Sequence, residues 1–263
     1  MKRSWPVAAV SVAAIPLFSV LATFVAAAAR PQAVAPNEAE RIVRRMDELY
    51  RSTTSEALVE MQIVTPHWER TLRMRVWSRG LKDTFIRILE PKKEEGFATL
   101  RLDNEMWNYL PKTAKVMKIP PSMMMSSWMG SDFTNDDLVK EFTFVESYHF
   151  EMMTPDAPEP GLLYVKCIPK EGLPIVWGSV VLAVREADLL PVREEYFDAK
   201  GALVRAITFS DVKAFGGRTI PSTMELVPRT EPGHKTVIRY LEARFDAGLD
   251  PSVFTLRNLQ GGR

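Results

Sequence analysis

Between Glu38 and Arg51, Ile42, Val43, Met46, Leu49 and Tyr50 recur at helical spacing, with Glu38, Glu40, Arg41, Arg44, Arg45, Asp47 and Glu48 on the other face. That is the pattern of an amphipathic helix, which needs a sheet to lie on. The period then falls to two. From Ala57 to Thr65, Leu58, Glu60, Gln62 and Val64 alternate with Ala57, Val59, Met61 and Ile63, and Leu72, Met74 and Val76 alternate with Arg73, Arg75 and Trp77. Further strand segments run over Phe85–Glu90, Phe97–Leu102 and Met106–Leu110. The second half repeats the meander at Leu162–Ile168, Ser179–Glu186, Val192–Asp198, Ala202–Val212, Thr219–Pro228 and Lys235–Phe245. Turn residues such as Asp103 with Asn104, Lys200 with Gly201, and Pro232 with Gly233 separate them. Connections this short force antiparallel pairing, because a parallel crossover takes a dozen or more residues. The pattern predicts a mainly β (α+β) fold with about eleven strands, a sheet that must curl or close. Thr134 and Asp137 form a capping box that opens a short helix over Asp136–Glu141. Phe142–Met152 reads as strand, and Asp250–Phe254 as a helical turn.

One stretch departs from the alternation. Met106–Leu138 begins as a strand carrying Trp107 and Tyr109, turns at Pro111 and Lys112, and returns through Val116, Met117 and Ile119. After Pro120 and Pro121 come Met123, Met124, Met125, Trp128 and Met129 within seven residues, then Gly130, Ser131 and Asp132. Unbranched, polarizable methionines make a surface that reshapes around apolar ligands. The segment reads as a mobile lid over an apolar cavity. Two other readings stand beside it: ordinary core filling, and a Cu(I) site in which the thioethers of Met123, Met125 and Met129 converge.

The N-terminus has the three parts of a secretory signal: Lys2 and Arg3, an apolar span from Val7 to Val25, and small residues at Ala26–Ala29. Residues 1–29 are expected to be cleaved as a signal peptide, residues 30–37 to be a flexible lead, and residues 38–263 to form one domain. A retained anchor is the alternative. With no cysteine at the junction, lipid anchoring there is not expected, and the product belongs in the periplasm. Removing Lys2 and Arg3 lowers the 34 basic residues to 32 against 33 acids. Nucleic-acid binding needs concentrated positive charge, and none is visible.

Candidate chemistry is sparse. Cys167, the single cysteine, sits in an alternating run and reads as a buried thiol, which excludes a disulfide framework or a cysteine zinc site within the chain. His67, His149 and His234 show no ligand spacing, and no G-x-S-x-G elbow or glycine-rich phosphate loop is present. Asp132, Thr134 and Asp136 alternate like calcium-loop ligands, but Asp137 stands where glycine is required and Thr143 where the bidentate glutamate belongs. Neither catalysis, cofactor nor metal is therefore expected.

The segments ELYRSTTSEALVEMQIVTPHWERTLRMRVWSRG, MWNYLPKTAKVMKIPPSMMMSSWMGSDFTNDDL, LPVREEYFDAKGALVRAITFSDV and FTLRNL together resemble the LolA-like outer-membrane lipoprotein-sorting proteins, related to the periplasmic carriers LolA and LolB. The resemblance implies a half-open antiparallel β-barrel whose helices cover its concave face and enclose a hydrophobic cavity for acyl chains. On that footing the expected cavity and lid residues are Ile42, Met46, Leu49, Trp107, Tyr109, Met117, Met123, Met124, Met125, Trp128 and Met129. The cargo would be lipoprotein acyl chains or another envelope lipid, with an inner-membrane transporter as donor and an outer-membrane acceptor. A copper-handling protein and a structural adapter for an envelope transporter are the alternatives.

Overall fold

The computed structural model describes Met1 and residues 37–50, 52–140, 144–173 and 175–261. All but Met1 of the expected signal peptide and all but Asn37 of the expected lead lie outside these residues. So does Arg51, the expected last residue of the first helix. Among the described residues no helix is long and apolar enough to cross a membrane.

Helix α1 spans Glu38–Leu49. Asn37 caps it, its Oδ1 accepting from the Glu40 amide at 2.8 Å, and Glu38 and Glu40 place negative charge in the first turn. At the other end Arg218 donates to the carbonyls of Glu48 and Leu49 at 3.0 and 3.3 Å, so a cation satisfies the C-terminal acceptors. Ile42, Val43 and Leu49 are fully buried, each stabilising the fold by about 1.5–3 kcal/mol. Asp47 departs from its expected polar face. It is buried and accepts from the Val145 amide at 3.2 Å, because the short helix α3 (Phe144–Ser147) covers a wider arc of α1 than its apolar stripe.

Thirteen antiparallel strands are present among the described residues. The first six are β1 (Thr54–Val64), β2 (Glu69–Arg79), β3 (Asp83–Glu90), β4 (Ala98–Leu102), β5 (Glu105–Leu110) and β6 (Lys115–Lys118). The remaining seven are β7 (Tyr148–Met153), β8 (Leu162–Pro169), β9 (Ser179–Arg185), β10 (Pro191–Phe197), β11 (Leu203–Phe215), β12 (Arg218–Pro228) and β13 (Lys235–Phe245). They form one unclosed sheet in the order β6-β5-β4-β3-β2-β1-β13-β12-β11-β10-β9-β8-β7. The count exceeds the expected eleven by two; the edge strands β6 and β7 fall at the expected return through Val116 and Met117 and within the expected Phe142–Met152. Phe144–Ser147 also corrects the strand expected over Phe142–Met152: it is helical, and the i,i+4 rings of Phe144 and Tyr148 meet at 5.1 Å.

This order determines where the methionine-rich segment goes. Each half of the chain is a meander, and the two are joined at the sheet centre by β1 and β13. The connection from β6 to β7 therefore runs from one edge of the sheet to the other, and it crosses the face that carries the core. Helix α2 (Asn135–Lys140) and α3 lie on this connection. On the opposite face Phe85, Ala98 and Leu100 form a smaller cluster with Phe254 and Leu259, supplied by a 3₁₀ turn at Pro251–Phe254 and helix α4 (Leu256–Leu259). That face also carries ion pairs, with Glu56 paired to Arg75 at 2.6 Å and to Arg244 at 2.5 Å.

Candidate functional site: an apolar cavity under a tethered lid

Where the β6–β7 connection crosses the sheet it leaves an apolar cavity of about 110 Å³. Its floor is the inward set of the central strands: Ala57, Val59 and Met61 on β1, Met74 and Val76 on β2, Ile86 on β3, Met224 on β12, and Ile238 and Tyr240 on β13. Tyr50, the residue after α1, closes one side. Its ring stacks on Tyr240 at 5.2 Å, and its hydroxyl donates to the Pro221 carbonyl at 2.8 Å. Ser55, Ser78 and Thr84 make one hydroxyl-bearing corner in which Ser55 and Ser78 share a hydrogen bond. The roof is Trp128, Phe133 and Leu138.

The roof is internally bonded, and it is tied to the sheet by Arg70 of β2, whose guanidinium donates to the Met129 carbonyl, and by three further tethers. Within it, the Trp128 amide donates to the Phe133 carbonyl at 2.8 Å, and the Ser131 hydroxyl donates to the Trp128 carbonyl at 2.7 Å. Met129 and Gly130, both at positive φ, turn the chain between them. The first tether is the Trp128 indole N–H, which donates to Thr99 Oγ1 at 3.1 Å, while Thr99 donates to Asn108 Oδ1 at 2.7 Å. At the second, the Asp132 amide donates to Thr236 Oγ1 at 3.0 Å, and that hydroxyl donates back to Asp132 Oδ2 at 2.6 Å. The third is Asp137, bound by both guanidinium nitrogens of Arg205 at 2.6 and 2.7 Å inside the protein. The capping box forms reciprocally, Thr134 N to Asp137 Oδ2 at 2.7 Å and Asp137 N to Thr134 Oγ1 at 3.1 Å. One carboxylate thus both opens α2 and pins it to β11.

Of the eleven residues expected at the cavity or lid, Trp128 lines this cavity and is 1 % exposed. Met124 and Met129 pack on the main core beside it. Met117, Met123 and Met125 face outward, each 40–43 % exposed. The hydrogen bonds of the 3₁₀ turn at Pro121–Met123 hold that part of the chain above the roof, not in it. Ile42 and Leu49 are buried in the core, whereas Met46 lines a separate space of about 30 Å³ that shares Tyr50 and Met224 with the larger cavity. Trp107 and Tyr109 lie on the opposite face. Strand parity explains this: Met106 joins the main core, while its neighbour Trp107 falls opposite Leu100 and joins the cluster under the C-terminal tail. The floor alternation Ala57, Val59, Met61 was legible in the sequence. Tyr50, Phe133, Leu138, Met224 and Tyr240 were missed, since they converge from distant segments.

The smaller space also holds Asp47 and Glu194. Burial pushes the Glu194 carboxyl up to about 7, although the Tyr196 hydroxyl donates to it at 2.8 Å. Burial likewise pushes up the thiol of Cys167, which is enclosed as expected.

The unclosed antiparallel sheet with its few helices has the LolA-like fold, which three solved structures share. The chain superposes on a DUF1329 family protein from Desulfovibrio piger with a TM-score of 0.76 and 26 % identity, over 84 % of this chain and 97 % of that one. An outer membrane lipoprotein-sorting protein domain from Vibrio parahaemolyticus gives 0.73 and 23 %, over 84 % and 98 %. A LolA superfamily protein from Nitrosomonas europaea gives 0.70 and 19 %, again over 84 % and 98 %. No curated protein matches the chain in sequence. Residues 80–261 match the model of a family described as "Uncharacterized protein", and the chain belongs to that family.

Proposed function

We propose that this protein is a periplasmic, non-enzymatic carrier that shelters the acyl chains of a lipoprotein or another envelope lipid between an inner-membrane donor and an outer-membrane acceptor. The observation that carries the reading is the apolar cavity between the central strands and the lid residues Trp128, Phe133 and Leu138. Further support comes from the fold held in common with a lipoprotein-sorting domain and from the secretory pattern of the N-terminus. Moving an acyl chain of about 16 carbons through water requires recovering on the order of 10 kcal/mol at about 0.8 kcal/mol per methylene. No surface groove offers that much apolar area.

An apolar space of about 150 Å³ holds one benzene, so about 110 Å³ admits no full acyl chain. Trp128, Phe133 and Leu138 fill the volume that cargo would take, and loading would displace them from the sheet. Transfer would then need no covalent step, only an acceptor cavity that binds the chain better. Native mass spectrometry of protein purified from the periplasm, with displacement of a fluorescent fatty acid as a second measurement, tests this. Co-purifying lipid and saturable probe binding are expected; absence of both overturns the carrier reading.

A further inference from the structure

The second tether of the lid has a second set of contacts. Asp132, which Thr236 holds by hydrogen bonds, also faces the tip of the β12–β13 hairpin. Its Oδ1 lies 3.7 Å from His234 Nδ1, and the same nitrogen lies 3.1 Å from Glu231 Oε2. One donor atom from each of the three residues falls within 4.8 Å of the other two. Tetrahedral coordination at the usual zinc–oxygen and zinc–nitrogen lengths spaces ligand atoms about 3.3–3.5 Å apart, so the three are set for a common ion with little movement. We propose that Asp132, Glu231 and His234 form a site for a divalent first-row transition cation, which would fasten the lid to the β12–β13 hairpin.

Several observations support it. The donors are one imidazole and two carboxylates, a set suited to zinc and its neighbours, which leaves a position for water. Asp132 is nearly enclosed while Glu231 and His234 are reachable from solvent, with side-chain exposures of 8 %, 59 % and 29 %, so an ion has an entry path and a buried anchor. The cation next along β13, Lys235, is engaged with Glu225 at 3.0 Å on another side. The hairpin tip lies close to Pro66: Gly233 has φ +81°, and a Cβ there would come within 3.1 Å of the Pro66 ring.

The test is zinc titration of the purified, tag-free protein by calorimetry, alongside Glu231→Gln and His234→Ala. Both substitutions fall at an accessible hairpin tip, where circular dichroism can verify an unchanged fold. Wild type is expected to bind one zinc ion per chain, and each variant at least tenfold more weakly. Amide exchange at Asp132, whose N–H is bonded to Thr236, is expected to slow on zinc addition in wild type alone. Equal zinc binding by wild type and both variants would overturn the site. Site-specific binding that leaves exchange at Asp132 unchanged would overturn its fastening role. Neither measurement involves lipid, so either failure is separable from failure of the carrier reading.

Discussion

Asp137 and Arg205, 68 residues apart in sequence, meet in a bidentate ion pair in which both side chains are about 95 % enclosed. Arg205 also stacks against the rings of Trp177 and Tyr196, at 4.5 and 4.2 Å. The pair fixes the end of the lid to β11. Removing one partner of such a pair strands a charge in the interior, so Asp137→Ala should destabilise the fold by about 3–5 kcal/mol. The double variant Asp137→Ala/Arg205→Met should recover part of that loss. Urea unfolding of the three proteins checks this, and a single-variant loss under about 1 kcal/mol would show that the pair contributes little.

Thr236 makes the second tether through one hydroxyl that both accepts from the Asp132 amide and donates to its carboxylate. Thr236→Val keeps the shape and removes both bonds. The expected cost is about 1–3 kcal/mol, with faster hydrogen exchange concentrated in residues 127–134. Exchange that rises evenly over the whole chain would mean the lid has no local opening of its own.

How much of this was legible in the chain depends on sequence separation. The helix bearing Ile42 and Leu49, the alternation of Ala57, Val59 and Met61, and the Thr134–Asp137 box each lie within one element, where period and spacing carry the information. Trp128 emerged from the methionine cluster by its bulk. The outward aim of Met123 and Met125 did not, because composition says nothing about which way a 3₁₀ turn faces. Trp107 and Tyr109 were placed on the wrong face because each face of β5 mixes apolar with polar residues, so alternation gave no sign of which one meets the core. Asp137 with Arg205, and Asp132 with Glu231 and His234, are contacts across some 70 to 100 residues. The β6–β7 crossing brings them together, and that crossing follows from strand order, not from any local pattern.

Glu194 predicts a pH dependence. Its carboxyl is buried, lifted to about 7 from an ordinary 4.5, with the Tyr196 hydroxyl and Arg205 pulling it down and Asp137 pushing it up. A carboxyl whose folded value exceeds its unfolded one binds protons more tightly when folded. Its contribution to stability is therefore full below pH about 4.5 and is lost as pH rises towards about 7. At roughly 1.4 kcal/mol per unit the loss is on the order of 3 kcal/mol. In Glu194→Gln this component should vanish. Denaturant unfolding of wild type and variant at intervals from pH 5 to 8 measures it, and parallel curves would exclude Glu194 as the source.

The lid's energetics should separate Trp128 from the methionines around it. Met123 and Met125 are 40 and 43 % exposed, so the double change to Ala should move stability by no more than about 0.5 kcal/mol and leave acyl-probe affinity unchanged. Trp128 is different in kind: its side chain lines the cavity and its N–H is bonded to Thr99. Trp128→Ala removes both and should cost about 3–5 kcal/mol, while enlarging the space open to cargo. If the indole occupies the place of an acyl chain, the variant takes up a fluorescent fatty acid faster than wild type despite its lower stability. Trp128→Phe, which keeps most of the bulk and loses the bond to Thr99, should fall between the two in stability and resemble wild type in capacity. Uptake by Trp128→Ala no faster than by wild type, with circular dichroism unchanged, would mean the indole is part of the permanent core and cargo enters elsewhere.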